Sequence, residues 1–258
     1  MRPQSSARAH TGGRHELGQN FLIHRPTLDQ MAELVRRTSG PILEIGGGNG
    51  ALTARLATLG RDLRVIDIDP RLVSQLRVRF PKASVAQADA LREPLNRAVI
   101  VGNVPFHLTT PILRRLLREG SWQDAVLLTQ WEVARKRAGI GGATMMTAQA
   151  APWFTFHLHD RTPARGFRPM PSVDGGILSI QRRADPLVPL HQRKRYDAFV
   201  AAVFRGRGNG IRQILQRMSL PASAIDRALR VTALAPRALP RDIAPAQWAH
   251  LWSALTPI

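Results

Sequence analysis

From Pro41 onward the chain settles into a repeating rhythm, and that rhythm constrains its fold more than any other feature. Ile42-Leu43-Glu44-Ile45 is a short apolar run that ends in Gly46-Gly47-Gly48-Asn49-Gly50. Leu52, Leu56 and Leu59 then fall at helical spacing, and Gly60 can stop that helix. Leu63 to Asp67 reads as a second strand, and Pro70 suits the first turn of the helix carrying Leu72, Val73 and Leu76. Ser84 to Ala88, Ala98 to Gly102 and Ala125 to Thr129 read as three further strands. Strands alternating with amphipathic helices predict an α/β fold: a mostly parallel sheet with both faces covered.

The flanks differ. Leu28, Met31, Leu34 and Val35 place a helix before the first strand, opening near Thr27. Trp153 to His159 and Gly176 to Gln181 are strand-like and suit a terminal antiparallel pair. After about Pro186 the pattern is helical: Tyr196–Phe204, Gly210–Met218, Ala222–Leu229 and Pro245–Leu255. We therefore expect a flexible basic arm over 1–14, an α/β domain over 15–185 and a small all-helical domain over 186–258.

In open parallel sheets, ligands bind beyond the carboxyl ends of the strands. Four groups of residues stand there. Gly46, Gly48 and Gly50 let the backbone approach a nucleotide closely. Their Gly-x-Gly-x-Gly spacing differs from the Gly-x-Gly-x-x-Gly of dinucleotide sites, which disfavours a nicotinamide cofactor. Asp67, about 20 residues past the glycines, matches the acid that binds ribose hydroxyls; Asp69 is a second candidate for that role. Asp89 can accept from an exocyclic amine. Either aspartate has an ordinary alternative as a helix or turn cap. Asn103-Val104-Pro105-Phe106 is the most specific group. The side-chain carbonyl of Asn103 and the main-chain carbonyl of Val104 can accept the two hydrogens of a base amine and direct its lone pair. Pro105 stiffens the loop and lacks an N–H. Phe106 offers a flat face for stacking.

These groups, together with Gly18-Gln19-Asn20-Phe21-Leu22, Glu132-Val133-Ala134-Arg135-Lys136 and Phe167-Arg168-Pro169-Met170-Pro171-Ser172-Val173, make the chain recognisable. From about Gly18 to Arg182 it resembles the Erm family of S-adenosylmethionine-dependent ribosomal RNA adenine N6-methyltransferases, relatives of the small-subunit RNA adenine dimethylases. The resemblance implies a Rossmann-like methyltransferase domain with a helical C-terminal domain, and S-adenosylmethionine as cofactor. It implies that Gly46, Gly48 and Gly50 line the methionine part, with Gln19 and Asn20 near its polar groups. Asp67 would hold the ribose and Asp89 the adenine amine. Asn103 and Phe106 would hold the target adenine, and Phe167 would close that pocket. Two positions depart from the usual pattern: many members carry Glu where Asp67 stands and Tyr where Phe106 stands.

Composition now matters for partners. Lys and Arg number 37 against 18 Asp and Glu, a formal net charge of +19. Such an excess speaks of a polyanionic partner rather than of fold. The segment after 185 carries 11 Arg and Lys against three acids. Arg135, Lys136 and Arg137, the N-terminal arm and the helical tail are candidate phosphate contacts, Arg135 and Lys136 foremost. Cysteine is absent, which excludes thiolate metal sites and cysteine nucleophiles and fits a reducing compartment; no apolar run approaches the roughly 20 residues needed to span a bilayer, so we expect a cytoplasmic protein without a membrane partner. The eight histidines show no metal-ligand spacing, and no metal is expected. His157 and His159 read as surface positions; only His107, beside the Asn103 loop, merits a test.

The expected partner is 23S ribosomal RNA, protein-free or in early assembly, bound by a monomer. Methylating one adenine there would remove a donor and add bulk where macrolide, lincosamide and streptogramin B antibiotics bind. Three other readings stand beside it: a small-subunit RNA adenine dimethylase, a nucleic-acid-binding factor with no turnover, and a nicotinamide-dependent oxidoreductase.

Overall fold

A computed structural model describes residues 20–256. The strands are β1 (Phe21–Leu22), β2 (Ile42–Ile45), β3 (Leu63–Asp67), β4 (Ser84–Gln87), β5 (Val99–Asn103), β6 (Asp124–Gln130), β7 (Phe154–Thr162), β8 (Phe167–Arg168) and β9 (Gly175–Arg182). The helices are α1 (Arg25–Arg36), α2 (Ala51–Ala57), α3 (Pro70–Arg79), α4 (Thr109–Leu116), α5 (Trp131–Arg137) and α6 (Met145–Ala150). After the sheet follow α7 (Arg193–Arg205), α8 (Ile211–Arg217), α9 (Ala222–Val231) and α10 (Pro245–Leu255). The arm expected over 1–14 lies outside the described residues.

Seven strands form one sheet in the order β4-β3-β2-β5-β6-β9-β7. β4, β3, β2, β5 and β6 are mutually parallel, and β9 runs antiparallel between β6 and β7. The chain winds outward from β2 to β4, then crosses back to β5. That reversal opens a crevice between the carboxyl ends of β2 and β5.

The central strands β2, β5 and β6 are mostly apolar because both faces are covered, whereas the edge strands β4 and β7 carry polar, exposed positions. All four residues of β2 are buried. Successive residues serve opposite faces: Ile100, Ala125 and Leu127 join one hydrophobic cluster, while Val99, Val101, Val126 and Leu128 join the other. The first cluster continues without interruption into Tyr196, Val200, Ile214 and Trp248 of the C-terminal helices. Tyr196 Oη donates to the Ala148 carbonyl at 2.9 Å, tying α7 to α6.

Helix boundaries follow their caps. Asp69 accepts from the Arg71 N–H at 2.8 Å and Pro70 fills the first turn of α3. Asp69 thus takes the capping alternative, and it does not line the crevice where the ribose role was expected. Thr144 and Thr147 form a reciprocal capping box on α6. Two strands were not expected from the sequence. β1 and β8 pair antiparallel, Phe21 opposite Arg168 and Leu22 opposite Phe167. They join segments that lie about 145 residues apart in the sequence and bring Asn20 over the crevice.

Candidate active site

The crevice holds a cavity of about 330 Å³, within the range of roughly 300–1,000 Å³ common for ligand clefts. Its walls come from the ends of β2, β3, β4 and β5 and from Asn20 and Phe21. Asp67, Asp89, Asn103, Val104, Pro105 and Phe106 all line it, as do Gly46, Gly48 and Asn20. The structure thus brings together most of the residues singled out by position at successive strand ends.

The glycine loop is shaped by the sheet. Gly46 and Gly47 both donate to the Ile66 carbonyl, at 2.8 and 3.0 Å. Gly46 and Gly48 have φ of +73° and +54°, a left-handed backbone that favours glycine. A Cβ on Gly48 would sit 3.2 Å from the Phe21 ring, narrowing the cavity wall. Gly50 departs from expectation. It does not line the cavity, because it faces inward as the N-cap of α2, where a Cβ would meet the Phe80 ring at 2.7 Å. Its glycine serves packing.

Asp67 is buried at the end of β3. Its Oδ2 accepts from the Gly48 N–H at 2.8 Å and its Oδ1 from the Asp69 N–H at 3.0 Å. Burial pushes the carboxyl above its ordinary value, while the N–H groups of Asp69 and Gly48 pull it back. Each oxygen keeps lone-pair capacity toward the cavity. Asp89 lies at the rim, accepts from the Leu91 N–H at 2.8 Å and remains open to a further donor. Between Asp67 and Asp69, Ile68 is 52% exposed and lines the cavity. An exposed isoleucine between two acids is an apolar platform for a flat ring, and its position between them was the signal the sequence offered.

Glu44 also escaped the motif reading. It is 1% exposed, lines the cavity floor, and its Oε2 has no hydrogen-bond partner among the described residues. Burial pushes its carboxyl up to about 8; hydrogen bonding from Thr53 opposes the rise and the nearby Asp67 charge adds to it. Strand alternation could have found it, because Glu44 shares a face with Ile42.

Asn103 ends β5. Its Nδ2 donates to the Asn20 carbonyl at 2.8 Å, leaving Oδ1 free to accept. The Val104 N–H is spent on the Leu128 carbonyl at 3.0 Å, and the Val104 carbonyl has no partner among the described residues. Two acceptors are thus available on neighbouring groups. Phe106 is half-buried at the wall.

Phe167 is placed differently from the expectation. It is 1% exposed and lies outside the cavity lining, edge-on beneath Phe106 at 6.1 Å between ring centres. Pairing of β8 with β1 draws it into the core, where it supports Phe106 instead of closing the pocket. Arg135 and Lys136 lie on α5, away from this cavity. Arg135 pairs with Glu132 at 3.2 Å and Lys136 is exposed. Gln19 lies outside the described residues. His107 is exposed at the cavity rim, and His159 hydrogen-bonds Ser179 at 2.8 Å. Among the described residues, no group of three His, Asp or Glu side chains is arranged to hold a metal ion, and no helix is long and apolar enough to cross a membrane.

The residues present fit a nucleoside carrying a positively charged amino-acid arm. Two carboxylates with acceptor capacity to spare, an exposed apolar side chain and a buried carboxyl oxygen without a partner among the described residues converge on one left-handed glycine cradle. Comparisons with known proteins agree. The family model described as ribosomal RNA adenine dimethylase matches residues 11–253. The chain is 53% identical over 213 residues to an rRNA adenine N-6-methyltransferase of Corynebacterium diphtheriae, covering 81% of this chain and 84% of that one. It is 45% identical over 245 residues to the mycinamicin-resistance protein MyrB of Micromonospora griseorubida, covering 93% and 78%. Among solved structures, the 23S rRNA methyltransferase ErmE superposes with a TM-score of 0.84 at 33% identity, covering 92% of this chain and 99% of that one.

Proposed function

The chain belongs to the ribosomal RNA adenine dimethylase family, and on that premise we propose that it methylates the N6 amine of one adenine in 23S ribosomal RNA. The cofactor is S-adenosylmethionine, and the consequence is resistance to macrolide, lincosamide and streptogramin B antibiotics. The observation that carries the reading is the pair of free acceptors at Asn103 Oδ1 and the Val104 carbonyl, set beside a cavity that suits the cofactor. The similarity to MyrB and to ErmE supports the large-subunit target and the resistance outcome over a small-subunit dimethylase.

Gly46, Gly48 and Asn20 would hold the amino-acid arm, Asp67 the ribose, and Asp89 with Ile68 the adenine. The bound cofactor supplies an electrophilic methyl on a sulfonium, whose departure leaves a neutral thioether. Everything else is done by the chain. An adenine amine is a weak nucleophile because its lone pair is delocalised into the ring. Accepting both amine hydrogens at Asn103 and Val104 pins that lone pair toward the cavity. Pro105 presents no N–H to compete for those acceptors. Phe106 stacks on the extruded base, and Phe167 beneath it limits its tilt. Positioning of this kind can account for up to about 7–11 kcal/mol of a barrier. The proton leaves to water after transfer, so no histidine is required.

The same proposal assigns residues 15–185 to cofactor and chemistry and 186–258 to RNA, with 1–14 as a basic arm. The enzyme is then a cytoplasmic monomer acting on RNA that is protein-free or in early assembly, with Arg135 and Lys136 meeting phosphates. Expression in a susceptible bacterium tests the outcome: resistance to the three drug classes should rise together, and Asn103→Ala should abolish it. An unchanged susceptibility with active protein present would refute the large-subunit assignment.

A further inference from the structure

A second cavity, of about 630 Å³, lies toward the other end of the sheet. Phe154 to His157 of β7 form part of it. They sit opposite Arg182 to Ser179 of β9, which lie level with the first residues of β6. Asn103 instead sits opposite Leu128, near the end of β6. The two cavities share no lining residue. The other walls include the loop from Gly139 to Ala143, α6 at Thr147 and Ala148, and the chain entering α10 from Arg241 to Pro245.

Three arginines line it, Arg137, Arg183 and Arg241, against one carboxylate, Asp242. That carboxylate is already engaged: its Oδ2 accepts from the Leu239 N–H at 3.0 Å, and its Oδ1 stands 3.8 Å from Arg241 Nε. Arg137 and Arg183 form no ion pair among the described residues. Arg137 donates to the neutral Thr144 hydroxyl at 2.8 Å, and its Nε is buried without a partner. Arg183 Nε donates to the Ala151 carbonyl at 2.9 Å. A guanidinium does not escape burial by losing its proton, so a part-buried, unpaired one is costly unless an anion reaches it.

The backbone adds to the positive field. α10 has eleven residues and no acid in its first turn; its cap N–H, on Ala244, is taken by Gln247 Oε1 at 3.0 Å, so it offers the cavity the positive end of its dipole, with Asp242 just ahead of it. Gly139, Gly141 and Gly142 have φ of +77°, +86° and +111°. A Cβ at Gly139 would meet nothing within 4 Å, so packing does not explain that glycine. The N–H groups of Gly139, Ile140, Gly142 and Ala143 already donate to the carbonyls of Lys136, Arg135, Gly139 and Arg241, so this turn shapes the wall and the arginine side chains supply the donors.

We propose that this cavity is an anion site for a phosphate ester, gripped by Arg137, Arg183 and Arg241 with the N-terminus of α10 at one wall. The site stands independently of methyl transfer. Two sources carry this chemistry: the backbone of an RNA, and free phosphate or a mononucleotide.

Trp248 is a built-in reporter, because its buried indole N–H has no partner among the described residues and the residue lines the cavity. In nitrogen-15 labelled full-length protein, its indole signal, assigned with Trp248→Phe, is followed while inorganic phosphate is added. Sodium chloride of matched ionic strength is the control. A saturable shift with phosphate alone is expected, weakened at least tenfold in Arg137→Gln/Arg183→Gln. Arg241→Gln should weaken it too, and that exposed side chain can be changed without disturbing packing. A short RNA hairpin separates the sources. If an RNA phosphate fills the site, the hairpin displaces phosphate, and Arg241→Gln lowers the salt slope of RNA binding by about one. If a free phosphate fills it, the hairpin leaves the phosphate titration unchanged. Either result supports the site. No saturable shift with phosphate or hairpin, a shift reproduced by chloride, or one indifferent to all three arginines would overturn it.

Discussion

Asn103 Nδ2 donates to the main-chain oxygen of Asn20 at 2.8 Å, across 83 residues of sequence. The bond fixes which end of the amide faces the cavity. It also explains why the N-terminal segment, held by β1 on β8, is part of the site. Asn103→Ala should lower turnover roughly 100-fold or more, as loss of one preorganised group at a reacting centre does. Stability should fall by only about 1 kcal/mol for the lost hydrogen bond. Single-turnover kinetics alongside urea unfolding check the split; equal losses would mean a merely structural asparagine.

Gly48 and Gly60 share a left-handed backbone, φ +54° and +65°, but only Gly48 borders the cavity. Alanine at either should cost about 1–2 kcal/mol of backbone strain. Calorimetric titration should show at least tenfold weaker S-adenosylmethionine binding for Gly48→Ala and an unchanged affinity for Gly60→Ala.

Glu44 should give stability a pH signature. Its carboxyl is pushed from an ordinary 4.5 to about 8 by burial, so the folded state holds a proton that the unfolded chain releases. Its contribution is complete below about 4.5 and declines as pH rises toward about 8, by at most a little over about 1 kcal/mol per unit. Glu44→Gln should remove this decline. Urea unfolding of both proteins from pH 5 to 8 should show the variant gaining relative stability as pH rises.

Phosphate contacts on α5 should differ in weight. Lys136 is exposed and forms no ion pair among the described residues, whereas Arg135 is already paired with Glu132. RNA affinity should fall steeply with salt. Lys136→Gln should reduce that slope by about one and Arg135→Gln by less, as read by filter binding across a salt series.

The parallel strands and the residues at their ends were legible because a doubly covered sheet demands continuous apolar runs and places ligands at their carboxyl ends. The antiparallel pair β7 and β9 and all four C-terminal helices followed from their own periodicities, with ends shifted by a few residues. β1 and β8 were not legible, since two-residue strands carry no pattern and their pairing is entirely tertiary. That pairing is what moves Phe167 from the pocket to a place beneath Phe106. Gly50 and Asp69 show a second limit. A glycine that admits a ligand and one that admits a phenylalanine look alike in sequence, as do a binding aspartate and a capping one.

The most direct test of the central claim is to map the product. Full-length protein is incubated with methyl-labelled S-adenosylmethionine and protein-free total ribosomal RNA, and the label is located by nuclease protection and primer extension. Label is expected on the N6 amine of a single adenine of 23S RNA, and none with Asn103→Ala. Label in the small-subunit RNA, or none in either, would contradict it.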